Sequence, residues 1–84
     1  MRLVIYTASH CLGCDYTLEI AEDARRIAGL ETVVIVLEQA REAVPDNVVA
    51  VPTYVLDGRV VALGNPNREE FLRALRAQVK ERTP

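Results

Sequence analysis

The sequence predicts an α/β domain in the order β-α-β-(α)-β-β-α, a four-stranded mixed sheet flanked by helices. Three observations carry that prediction. Two β-branched runs bracket an amphipathic stretch, an Asp57-Gly58 pair joins two further apolar runs, and the last segment carries apolar residues at helical spacing. With 84 residues, 50% of them apolar, the chain is expected to form a single domain over residues 1–84 around one core.

Leu3 to Tyr6 is apolar throughout, as expected of a short strand buried on both faces of a sheet. Thr7-Ala8-Ser9-His10 follows as a small polar loop. From Cys11 to Ala28, the residues Tyr16, Ile20, Ala24 and Ile27 recur at helical spacing, while Glu19, Glu22, Asp23, Arg25 and Arg26 fall largely on the other side. Gly29 is the expected stop. Thr32 to Leu37 reads as a second buried strand, and a helix between two strands makes them parallel with a right-handed crossover.

Glu38 to Val44 is expected to form a short helix closed by Pro45 and Asp46-Asn47. Beyond Val48 to Val51 and Pro52, Tyr54-Val55-Leu56 and Val60-Val61-Ala62-Leu63 are strands three and four. Asp57-Gly58 joins them in a type I′ turn, which needs positive φ at both central positions. Gly64-Asn65-Pro66-Asn67 breaks the pattern, with Asn65 or Asn67 as N-cap of a helix bearing Phe71, Leu72, Leu75 and Val79 on one face. The tail Arg82-Thr83-Pro84 is expected to fray.

A net charge of -2 and scattered basic residues offer no field for a phosphate backbone, so no nucleic-acid partner is expected. No stretch approaches the ~20 apolar residues that span a bilayer, and the N-terminal run is too short for a secretory segment. The expectation is a cytoplasmic monomer with no membrane partner. In that compartment paired cysteines are more often catalytic or metal-binding than structural.

Cys11-Leu12-Gly13-Cys14 follows the first strand and opens the helix of the βαβ unit, the setting in which C-x-x-C reads as a redox pair. Unpaired N–H groups and the helix dipole at that end favour thiolate over thiol, which makes Cys11 the expected nucleophile. Cys14, one turn on, is the expected resolving thiol. The reaction needs no cofactor. His10, Cys11 and Cys14 supply three possible metal ligands where structural zinc takes four, so no metal is assigned. A cluster shared between two chains, or an interaction module without catalysis, are the alternatives. His10 is either a solvated loop residue or an imidazolium that lowers the pKa of Cys11, and Asp15 acts in the opposite sense.

Tyr16 and Tyr6 read as packing residues. Arg25, Arg26, Arg41 and Arg68 read as solvated surface residues, with steering of an acidic partner as the other possibility. Leu12, Val51 and Pro52 form the expected apolar docking strip for a protein disulfide.

The C-L-G-C motif, Val51-Pro52-Thr53 before the third strand and the Asp57-Gly58 hairpin leading to a last helix resemble the glutaredoxin and small thioredoxin-like disulfide oxidoreductases over essentially the whole chain. The resemblance implies a thioredoxin fold of glutaredoxin type and a disulfide-containing protein or small molecule as substrate. It implies glutathione or a reductase as reductant. It also implies a cis peptide bond before Pro52 and a substrate site at Leu12, Val51, Pro52 and Thr53, with the Val51 backbone pairing with substrate. Leu12-Gly13 matches neither the Gly-Pro usual in thioredoxins nor the Pro-Tyr usual in glutaredoxins, so the potential does not transfer. The glutathione-binding glycine pair and acidic residues have only Gly64-Asn65-Pro66-Asn67 as their counterpart.

Overall fold

Four runs of extended backbone pair into one sheet in the computed structural model, which describes residues 1–8, 14–38 and 51–82. They are β1 (Arg2–Thr7), β2 (Glu31–Val36), β3 (Thr53–Leu56) and β4 (Arg59–Leu63), in the spatial order β2-β1-β3-β4. β1 and β2 run parallel from Arg2 opposite Glu31 to Thr7 opposite Val36, as the βαβ reading requires. β3 is antiparallel to β1, and β4 to β3. Helices α1 (Cys14–Arg25) and α2 (Arg68–Arg82) complete the described elements, and neither is long and apolar enough to cross a membrane.

Most strands extend one residue beyond the apolar runs, through Arg2, Thr7, Glu31, Thr53 and Arg59, because the hydrogen-bonded ladder continues where side chains turn polar. β2 stops at Val36 rather than Leu37, whose N–H still donates to the Thr7 carbonyl at 2.9 Å. β2 is half-buried where its β-branched run predicts full burial, since among the described residues it stands at the sheet edge with β1 on one side only. At the other edge, Tyr54 faces Ala62 while Val55 faces Val60, leaving Val61 as the extra residue of a bulge. Val60, Val61 and Leu63 are correspondingly exposed.

The predicted hairpin is present. Asp57 and Gly58 have φ of 48° and 83°, the left-handed pair a type I′ turn demands. α1, in contrast, ends at Arg25 and not at Ala28. Arg26 and Ile27 donate to Asp23 and Ala24, three residues back, so the chain tightens and drops Ile27 and Leu30 into the core. Gly29 then turns at a φ of 86°, and a Cβ there would meet Val79 Cγ1 at 3.1 Å.

α2 begins where Asn67 accepts the Glu70 N–H on Oδ1 at 3.0 Å, so Asn67 and not Asn65 is the N-cap. α2 ends at Arg82, and the rest of the tail expected to fray, Thr83-Pro84, lies outside the described residues. The core joins Leu3, Ile5, Tyr54 and Leu56 of the sheet to Ile20, Ala21 and Ala24 of α1 and Phe71, Leu72, Leu75 and Val79 of α2. Burying each large aliphatic side chain contributes about 1.5–3 kcal/mol. The short helix read from Glu38 to Val44 lies outside the described residues apart from Glu38, which stands in a turn.

Candidate functional site

β1 leaves the sheet at the end where β3 enters it, because Tyr6 stands opposite Thr53, and β4 finishes there because Thr53 stands opposite Leu63. The chain returns from β1 into α1, whose first residue is Cys14. His10, Cys11 and Leu12 lie outside the described residues. Asp15 follows in the first turn and is exposed.

Of the expected substrate-binding residues, the structure brings Val51, Pro52 and Thr53 to this end. Val51 is half-buried and Pro52 buried, and the peptide bond between them is cis, as the resemblance implies. The Pro52 carbonyl accepts the Gly64 N–H at 2.7 Å, tying the start of β3 to the exit from β4. The Thr53 side chain is fully buried.

The turn after β4 is bound to the first turn of α1 by side chains that the pattern of apolar residues does not reveal. Tyr16 packs against the core as expected, and its hydroxyl also works. It donates to the Pro66 carbonyl at 3.1 Å and accepts the Arg68 N–H at 2.8 Å, at the start of α2. The fully buried Thr17 donates its hydroxyl proton to Asn65 Oδ1 at 2.6 Å. Tyr54, also fully buried, donates to the same oxygen at 3.0 Å. Burial pushes the Tyr54 phenol above its ordinary pKa, the neighbouring Thr17 hydroxyl, able to donate to the ionised phenolate, opposes that rise, and Tyr16 adds to it. The signal available in sequence was modest: a threonine and a tyrosine at core positions must find partners for their hydroxyls.

Arg68 departs from its expected role as a solvated residue. Its guanidinium reaches from α2 to α1, pairing with Asp23 at 2.6 Å and Glu19 at 3.3 Å. The hydrogen bond to Asp23 is the main reason its pKa rises further above the ordinary arginine value. Glu19 and Asp23 stand one turn apart on α1, so one arginine reaches both. Tyr6 is a buried sheet residue, as expected.

Comparison with known proteins agrees with this architecture. The family described as "Thioredoxin domain" matches residues 1–76, from β1 into α2. A protein of Methanothermobacter marburgensis (strain Marburg) described as "Probable Thioredoxin" is 24% identical over 84 residues, covering 95% of this chain and 98% of that relative. Since the matched span holds the whole sheet and both helices but for the end of α2, the chain belongs to the thioredoxin-domain family.

Proposed function

We propose that the protein is a thiol–disulfide oxidoreductase whose working group is the Cys11/Cys14 pair. The observation that supports this reading most is that, in a member of the thioredoxin-domain family, α1 opens on Cys14. The first turn of a helix presents N–H groups without intrahelical partners and the positive end of its dipole, both of which stabilise a thiolate near it.

In the proposed cycle the Cys11 thiolate attacks one sulfur of a substrate disulfide. A Cys11–substrate disulfide forms, the substrate S–S bond breaks, and the displaced sulfur leaves as a thiolate that takes a proton from water. The Cys14 thiolate then attacks Cys11 Sγ. The mixed disulfide breaks, the second substrate sulfur leaves, and the protein holds a Cys11–Cys14 disulfide. The substrate has gained two electrons, and the protein has lost them. A dithiol, glutathione or a reductase returns them. Leu12, Val51 and Pro52, with the backbone of Thr53, are the proposed docking strip for the substrate segment, and His10 is the proposed influence on the Cys11 thiol.

Turnover tests the reading directly. With dithiothreitol as electron source, the purified protein is expected to accelerate reduction of insulin disulfides. Cys11→Ser abolishes that acceleration, and Cys14→Ser accumulates the mixed disulfide with substrate. A wild-type rate no faster than that of Cys11→Ser overturns the proposal.

A further inference from the structure

We infer that Asn65 and Thr17 are positioning residues for the cysteine pair: one carboxamide oxygen, accepting protons from Thr17 on α1 and Tyr54 on β3, pins the first turn of the cysteine-bearing helix to the strand that follows Pro52. The inference rests on the redox reading above and assigns it a device that neither the motif nor the family match contains.

Three observations carry it. Thr17 stands three residues after Cys14, in the same opening turn of α1, and is fully buried. Its hydroxyl proton goes to Asn65, 48 residues away, at 2.6 Å. Asn65 Oδ1 takes its second proton from Tyr54, a fully buried residue two places after Pro52. The carboxamide is therefore a bridge between the two segments that must keep their spacing while a substrate disulfide lies between them. Asn67, two residues on, is the N-cap of α2 and accepts the Glu70 N–H at 3.0 Å.

The opening turn of a helix is where it frays most readily, because its N–H groups lack intrahelical partners. Closing a Cys11–Cys14 disulfide depends on how often the two sulfurs meet, which is an effective concentration set by the order of that turn. Cutting the bridge lowers that effective concentration and weakens the intramolecular disulfide relative to glutathione disulfide. The chemistry is unchanged: two thiols are oxidised as one glutathione disulfide is reduced to two glutathione molecules.

The test is a titration of the full chain against glutathione redox buffers. Thr17→Val keeps the shape of the side chain and removes its hydroxyl, and Asn65→Leu removes the acceptor. Each is expected to lower the equilibrium constant for forming the Cys11–Cys14 disulfide about three- to tenfold, where tenfold corresponds to about 30 mV. Thr17→Ser restores the hydroxyl and is expected to stay within about twofold of wild type. Val79→Ala, in the core of α2, lowers the melting temperature by a cavity effect and leaves the constant within the same twofold. Equal constants in wild type, Thr17→Val and Asn65→Leu overturn the inference, as does a Val79→Ala shift as large as theirs or a Thr17→Ser that fails to restore the constant. A wild-type protein whose cysteines do not titrate as a couple overturns the redox reading and this inference with it.

Discussion

At the Asp57-Gly58 end of the sheet the turn holds its shape through the backbone of two adjacent residues, whereas at the Pro52 end the chain is held by side chains from segments far apart in sequence. In the hairpin, positive φ at Asp57 and Gly58 sets the reversal, and the Asp57 carboxylate caps the Arg2 N–H at 2.8 Å. The nearby Arg2–Glu31 ion pair is exposed on both sides and worth at most about 1 kcal/mol. At the other end, Tyr16, Thr17, Tyr54 and Asn65 make partly buried bonds spanning 11 to 52 residues of sequence. Local turn chemistry sets the reversal at the hairpin, and the long-range bond from Asp57 to Arg2 there is exposed, whereas those at the Pro52 end are partly buried. The end where α1 opens on Cys14 is braced by partly buried tertiary contacts.

The largest expected effect is at the braced end. Phe71 lies edge-on to Tyr54 with ring centroids 5.0 Å apart, and Phe71→Ala is expected to cost about 3–5 kcal/mol in denaturant unfolding, with a fall in thiol turnover. A loss below about 1 kcal/mol would show that packing behind Tyr54 does not support that end.

Gly58→Val probes the hairpin. No atom lies within 4 Å of the new Cβ, so the cost is the left-handed conformation itself, about 1–2 kcal/mol. Turnover at temperatures well below unfolding is expected to match wild type. A Gly58→Val protein that is folded yet slow would mean that the two ends are coupled, and the contrast between them would fail.

The smallest effect is one of pH. Because burial raises the Tyr54 pKa above its ordinary value of 10, the folded protein keeps the phenol protonated where the unfolded chain ionises it. That contribution is complete below pH 10 and is lost as pH rises from 10 through the folded value. Tyr54→Phe gives up a hydrogen bond worth about 1 kcal/mol at neutral pH, and it is expected to lose less stability than wild type above pH 10. Urea unfolding across that range reads the difference, and a wild-type advantage that stays constant with pH would contradict the burial argument.

Much of the fold was legible because it is written in short-range patterns. The β-branched runs located all four strands to within a residue or two, Asp57-Gly58 located the hairpin, and the spacing of Phe71, Leu72, Leu75 and Val79 located the buried face of α2. The helix after β1 was legible from the apolar spacing that begins at the motif: it was read from Cys11, and the described helix opens on Cys14. The end of α1 was not, because Ile27 continues the helical apolar period yet reaches the core through a tightened turn. Nor did the pattern distinguish Asn65 from Asn67, since both are polar residues beside Pro66 and either suits a helix start.

The order of elements, the sense of the β1–β2 pairing and the turn at Asp57-Gly58 follow from side-chain period and backbone preference, which act over a few residues and can be read along the chain. The roles of Asn65, Thr17 and Arg68 follow from which groups are brought together after the sheet has formed. A hydroxyl buried on α1 must find an acceptor, but the condition for burial does not say where in the sequence that acceptor lies. Packing of α1 against the sheet and α2 brought it from Asn65, and the same packing turned an apparently solvated arginine into the clasp between the helices.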